Sequence, residues 1–141
     1  MAAARCNTRY LPQAKFPDAL IVVDRLEDAV AGVNDILIAV PSHALRSVLI
    51  ELAPLLSSSA RLAWATKGFE LDTGLLPHQV AKEILGTDRP FAVLSGPTFA
   101  QEVGQGLPTA MTIASADEAF AQSLAQSLSA DNFRAYTSSD I

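Results

Sequence analysis

Apolar positions along the chain fall into two kinds of stretch. Short runs rich in Val, Ile and Leu occur at "ALIVVD" (Ala19 to Asp24), "DILIAV" (Asp35 to Val40), "RLAWAT" (Arg61 to Thr66), "FAVL" (Phe91 to Leu94) and "TAMTIA" (Thr109 to Ala114). Between them lie "RLEDAVAGV", "SHALRSVLIELAPLL", "TGLLPHQVAKEIL" and "ADEAFAQSLAQSL", where apolar residues recur every three or four positions, and a last short run, "FRAYTS", closes the chain. The first kind predicts strands and the second helices. Hydrophobicity is continuous rather than alternating within most of the short runs, which requires burial on both faces. The expected fold class is therefore α/β, a partial doubly wound, mainly parallel sheet with helices on both sides.

Local signals refine this outline. Ser42 is placed to cap a helix that starts near His43 and Pro54 to end its regular part, while Asp117 and Glu118 suit the positive start of the helix through Leu128. "SSSA" (Ser57 to Ala60) reads as a helix-to-strand loop. The opening "MAAARCNTRYLPQAKFPD" reads as a polar lead-in without a strand, so the strand, Gly-rich turn and helix that begin a doubly wound nucleotide domain are missing from this sequence. Gly104 and Gly106 give a G-x-G, but Thr109 occupies the next required position and the G-x-G-x-x-G fingerprint fails.

Composition narrows the function classes. The 141 residues fit one domain, and 50% hydrophobic content is enough for a core. Ten Lys and Arg against 15 Asp and Glu give a net charge of -5, with neither sign gathered into a run, which argues against nucleic acid or an anionic membrane as the main partner. Cys6 has no second cysteine to pair with, and His43 and His78 stand apart from any ligand cluster, so neither a disulfide nor a metal site is expected. Strand-sized apolar runs and a start without an apolar signal core point to a cytoplasmic protein.

In an open parallel sheet, ligands bind beyond the carboxyl ends of the strands. Those ends carry Pro41-Ser42-His43, Lys67-Gly68 and Ser95-Gly96-Pro97-Thr98. Lys67 would present an ammonium with three donors to a phosphate or carbonyl oxygen, although an exposed turn lysine satisfies the same pattern and the residues alone leave both open. Gly96 and Thr98 offer backbone N–H groups and a hydroxyl for an anion-accepting nest, with Thr98 also placed to cap "FAQEVG". Trp64 reads as core and His78 as helix surface, and His43 is given no catalytic role.

Taken together, "RCNTRYLPQAKFPDALIVVDRLEDAV", "DILIAVPSHALRSVL", "RLAWATKGFELDTG", "AVLSGPTFAQEVGQGLPTAMTIAS" and "FRAYTSSDI" resemble, in order and over essentially the whole chain, the bacterial NAD(P)-dependent glycerol-3-phosphate dehydrogenases. The resemblance implies a Rossmann-like domain that binds NAD or NADP. The expected reaction is reversible hydride transfer between the nicotinamide and dihydroxyacetone phosphate, giving sn-glycerol 3-phosphate for phospholipid synthesis. It further implies that Lys67 touches both cofactor and substrate, that Gly96 and Thr98 are substrate contacts, that Ala100 lies against the cofactor, and that Pro41 and Ser42 border the dinucleotide. The family's proton-donating lysine and its helical C-terminal domain would follow Ile141. Residues 1–141 are thus expected to form a partial NAD(P)-binding domain, inactive alone, marginal in stability and open to self-association through an exposed sheet edge. The alternative is a non-catalytic nucleotide- or phosphate-binding module derived from the same family.

Overall fold

The structure, a computed structural model, describes all 141 residues. The elements follow one another as β1 (Cys6–Asn7), β2 (Leu11–Lys15), α1 (Leu26–Val30), β3 (Asp35–Ile38), α2 (Ser42–Leu52), β4 (Arg61–Trp64), α3 (Pro77–Leu85), β5 (Phe91–Ser95), α4 (Ala100–Gly104), β6 (Thr109–Ala114), α5 (Glu118–Leu128) and β7 (Phe133–Ser138). Strands β3 to β7 form one sheet in chain order. Neighbouring pairs are parallel except β5 and β6, which run antiparallel. The α/β, mainly parallel architecture expected from the sequence is present.

The unbroken apolar runs are explained by what covers each face. Along β4, Leu62 and Trp64 join a core with Leu45, Leu49 and Leu52 of α2, Val80 and Ala81 of α3, and Phe91. Ala63, between them, turns to a second core with Ala92, Leu94, Met111, Ile113 and the α5 residues Phe120 and Ala121. Side chains alternate across the sheet while both faces stay dry, so the strand needs no polar positions. The α2 leucines recur at i, i+4 and i+7, and each fully buried leucine contributes about 1.5–3 kcal/mol. At the amino ends of β3 and β4, Arg61 grips Asp35 with two 2.6 Å hydrogen bonds and lies 4.7 Å over the Phe120 ring, tying the sheet to α5.

Several local expectations are corrected. "ALIVVD" is not a strand: Leu20, Ile21 and Val23 are exposed, Ile21 by 81%, and no neighbouring backbone offers a ladder to this segment. An apolar run becomes a strand only where another strand can take up its N–H and C=O groups. The supposed strand-free lead-in instead contains the β1–β2 antiparallel hairpin. Arg5 holds the hairpin to the following segment, donating to the Leu20 carbonyl at 2.6 Å and to the Pro17 carbonyl. Ser42 is the first helical residue of α2 rather than its cap; Pro41 takes the cap position, and no side chain closes the end. The helix stops at Leu52 and tightens into a 3₁₀ turn at Ala53–Leu55, as Pro54 requires. Asp117 does cap α5, accepting from the Phe120 amide at 2.9 Å. No helix is long and apolar enough to cross a membrane.

Candidate functional site

Because β3, β4 and β5 are parallel, their carboxyl ends share one edge of the sheet. The antiparallel step brings the beginning of β6 to that edge as well, with Ser95 opposite Thr112. Thr66, buried just beyond β4, donates from Oγ1 to the Val40 carbonyl at 2.7 Å and thereby fixes the end of one strand against the next. The chain then turns at Lys67-Gly68. Gly68 has φ +91°, a left-handed conformation costly for residues with a Cβ, and a Cβ built there would lie 4.0 Å from Ser42 Oγ. The turn after β4 is in this way placed beside the start of α2.

A cleft of about 450 Å³ opens next to this turn. Its lining includes Lys67, Gly68 and Ser95 at the strand ends, Trp64 and Val93 from the sheet, Pro77 and His78 from the start of α3, and Asp140. Lys67 is exposed and belongs to none of the chain's four salt bridges, so its ammonium is unpaired. Trp64 is fully buried with its ring 5.6 Å from that of Phe91, yet its indole Nε1 has no hydrogen-bond partner. Leaving such a buried donor unmet costs about 1–3 kcal/mol. His78, half-buried rather than a plain surface residue, has its pKa lowered, first by burial and then by nearby Lys82, which favours the neutral imidazole.

The residues singled out from the sequence are only partly brought together. Lys67 and Ser95 share the cleft, and Ser42 adjoins the same turn through Gly68. Pro41, Gly96, Thr98 and Ala100 are outside the cleft lining, on the segments that leave β3 and β5. Thr98 does not cap α4: Phe99 holds the cap position, and the Thr98 amide donates to the Gly96 carbonyl at 2.8 Å. That amide is therefore spent, while the Thr98 hydroxyl has only a 3.5 Å contact with the same carbonyl and is nearly free. Gly96 has a tight steric reason to be glycine, since an added Cβ would meet the Ala110 carbonyl oxygen at 2.9 Å and Met111 Cα at 3.0 Å.

Sequence reasoning missed the group that anchors the Lys67 loop. Arg46 of α2 donates to both carboxylate oxygens of Glu70, at 2.7 and 2.8 Å, and to Glu83 of α3 at 2.8 Å. The Glu70 carboxyl is held down at about 2, chiefly by the hydrogen bond from Arg46 and then by that from Thr73. The only sequence signal was an arginine between the leucines of "HALRSVL" and a glutamate three places after the lysine.

Known proteins share this frame. The sequence-family model described as NAD-dependent glycerol-3-phosphate dehydrogenase N-terminus matches residues 1–121. Curated relatives named glycerol-3-phosphate dehydrogenase [NAD(P)+] include one from Actinobacillus pleuropneumoniae serotype 3, 49% identical over all of this chain and 42% of its own length. Another, from Bartonella henselae, is 50% identical over 97% of this chain and 41% of its own. A crystal structure of glycerol-3-phosphate dehydrogenase from Coxiella burnetii superposes with a TM-score of 0.94 at 40% identity, covering all of this chain and 43% of that one. A Dunaliella salina structure with a TM-score of 0.89 is only 21% identical and speaks for the fold alone. The chain thus spans about two fifths of the length of the curated relatives it matches. On the match across residues 1–121 and these identities, the chain belongs to the NAD-dependent glycerol-3-phosphate dehydrogenase family.

Proposed function

We propose that this chain forms part of the NAD(P)-binding domain of a cytoplasmic glycerol-3-phosphate dehydrogenase, which interconverts dihydroxyacetone phosphate and sn-glycerol 3-phosphate for phospholipid synthesis. The observation that carries this reading is the unpaired, exposed Lys67 on a T-K-G turn at the carboxyl ends of parallel strands, lining the cleft with Gly68 and Ser95. The cleft volume falls within the range of about 300–1,000 Å³ usual for small-molecule sites. These residues fit the nicotinamide and substrate end of a dinucleotide, whereas the glycine fingerprint that would hold a pyrophosphate is not among them. The bound cofactor would supply the hydride. Lys67 would fix the position of the phosphate or carbonyl oxygen by charge and contact the cofactor. The loosely held Thr98 hydroxyl and the Gly96 backbone would face the substrate, with Ala100, Pro41 and Ser42 on the cofactor side. Turnover needs more of the protein than these residues, and the free edge of β3 disposes the chain to self-association.

The test is a fluorescence titration of NADH and NADPH into the purified chain, with and without glycerol 3-phosphate, followed through the nicotinamide and Trp64. Saturable binding that Lys67→Ala abolishes is the expected result, with no oxidation of NADH by dihydroxyacetone phosphate. Binding unaffected by Lys67→Ala would remove the residue from the site. Turnover by the chain alone would overturn its assignment as an incomplete machinery.

A further inference from the structure

We propose that the Arg46–Glu70 ion pair is a latch that sets the position of the Lys67-Gly68 turn, making Arg46 and Glu70 positioning residues for the anion that Lys67 takes up. The inference rests on the reading of Lys67 as a ligand contact and adds to it the residues that hold the lysine in place. From Trp64, the last residue of β4, to Pro77, the first of α3, the chain has no regular structure. A lysine in such a segment would sweep a wide volume unless something tethered the backbone near it.

Glu70 is that tether. Its amide donates to the Leu75 carbonyl at 2.9 Å, its carbonyl accepts from the Gly74 amide at 2.8 Å, and its carboxylate accepts from Thr73 Oγ1 at 2.5 Å. The loop is closed upon itself at one residue. The same carboxylate is the loop's anchor to the scaffold, through the two-pronged grip of Arg46. Arg46 is on the helix that begins at Ser42, beside which Gly68 lies, and its second contact, to Glu83, secures it to α3 as well. Two rigid helices therefore define where Glu70 sits, and Lys67 is three residues away.

The pair differs from an ordinary surface bridge. The Glu70 side chain is only 11% exposed, and the fork geometry admits one orientation of the guanidinium. There is also a charge argument. Arg46 engages Glu70, the loop's own nearby carboxylate, and so keeps it from pairing with the Lys67 ammonium, which is in no salt bridge although Asp140 lines the same cleft. Without Arg46, Glu70 would be a poorly compensated carboxylate within the same short loop, free to attract Lys67 back onto the protein. Position and availability of the ammonium are lost together.

The experiment uses inorganic phosphate as the probe and the amide spectrum of the whole chain as the readout, for the parent, Lys67→Ala, Arg46→Gln, Glu70→Gln, Arg46→Gln/Glu70→Gln and Arg46→Lys. Phosphate is expected to shift the Lys67 and Gly68 amides. Arg46→Gln weakens its binding about tenfold, a loss of about 1.4 kcal/mol. Arg46→Lys, which keeps the charge without the fork, recovers part of the loss. In Arg46→Gln, hydrogen exchange should quicken at Gly74 and Glu70 while the β4 and β5 amides keep their protection, separating a loosened loop from a damaged fold. Glu70→Gln also weakens binding, and the double variant should be no worse than Arg46→Gln, because both changes break one interaction. If Lys67→Ala leaves phosphate affinity unchanged, the reading of Lys67 fails and the latch falls with it. If Lys67→Ala abolishes binding while Arg46→Gln and Glu70→Gln stay within about twofold of the parent, the latch alone is overturned.

Discussion

Gly96→Ala separates two reasons for keeping a glycine in "SGPT". A residue needed only for ligand approach could be changed at little cost to the unliganded fold. Here the added methyl would sit 2.9 Å from the Ala110 carbonyl oxygen and 3.0 Å from Met111 Cα, both backbone atoms of β6. Backbone in a paired strand cannot rotate aside as a side-chain tip does, so either the β5–β6 seam opens or Gly96 moves. Overpacking of this kind costs about 1–3 kcal/mol. The φ of +156° at Gly96, which L residues rarely adopt, brings the total to about 2–4 kcal/mol. For a chain of this length each kcal/mol lowers the melting temperature by about 3 °C, so a fall of about 6–12 °C is expected by circular dichroism. Gly74→Ala is the control, because Gly74 has φ +70° but nothing within 4 Å of a built Cβ. It should lose only the strain, about 1 kcal/mol and about 3 °C. If Gly96→Ala melts no lower than Gly74→Ala, the steric argument is wrong and Gly96 is kept for ligand approach alone.

Two further outcomes follow from the same geometry. The folded Glu70 carboxyl titrates at about 2 against an ordinary 4.5, a depressed value, so its stabilising contribution is complete above 4.5 and is lost as pH falls from there towards 2. Urea midpoints of the parent and of Glu70→Gln should converge across that window, and a gap that is the same at pH 7 and pH 2 would refute the pairing as its origin. β3 pairs only with β4, and its Leu37, 51% exposed, lies in an apolar groove with Leu26, Val30 and Val48. Sedimentation velocity should show concentration-dependent association that Leu37→Lys suppresses, since a charge on a free edge opposes strand addition; a parent chain that stays monomeric at all concentrations would refute it.

The sheet was legible from sequence because β3 to β6 fall on the short apolar runs; β4 and β5 are covered on both faces, while β3 and β6 keep an apolar run although Leu37 and Ala110 are exposed. "ALIVVD" carried the same pattern and misled, since composition records apolar character but not the presence of a neighbouring ladder. The hairpin escaped for the opposite reason: β1 is Cys6–Asn7, too short to have a period. At the site, Lys67-Gly68 could be read locally, because strand end, cation and turn glycine are adjacent in the chain. Arg46 and Glu70 are 24 residues apart and meet only once α2 has packed beside the loop. The failed Thr98 cap has a similar lesson. A hydroxyl one or two places before a short helix fits the pattern, but the backbone curled instead, using the Thr98 amide on the Gly96 carbonyl.

The direction of β6 brings the two ends of "SGPTFAQEVGQGLPTA" together. A parallel crossover after β5 would have placed the start of β6 at the far edge of the sheet, remote from "SGPT". With β5 and β6 antiparallel, the chain that leaves at Ser95 returns at Thr109 on the same edge, and Gly96 presses directly on Ala110 and Met111. The two halves of the segment are thus in contact, and Gly96 has no room for a side chain because it meets the backbone of the returning strand. This couples the sheet to the candidate site: Thr98, whose hydroxyl is the loosely held donor of the segment, is carried by a stretch whose start is fixed by that backbone contact. A disturbance at Ala110 should therefore be felt at Thr98 even though the two are twelve residues apart in sequence. The position of the site's donors is in this respect a property of strand pairing, and the loop alone does not determine it.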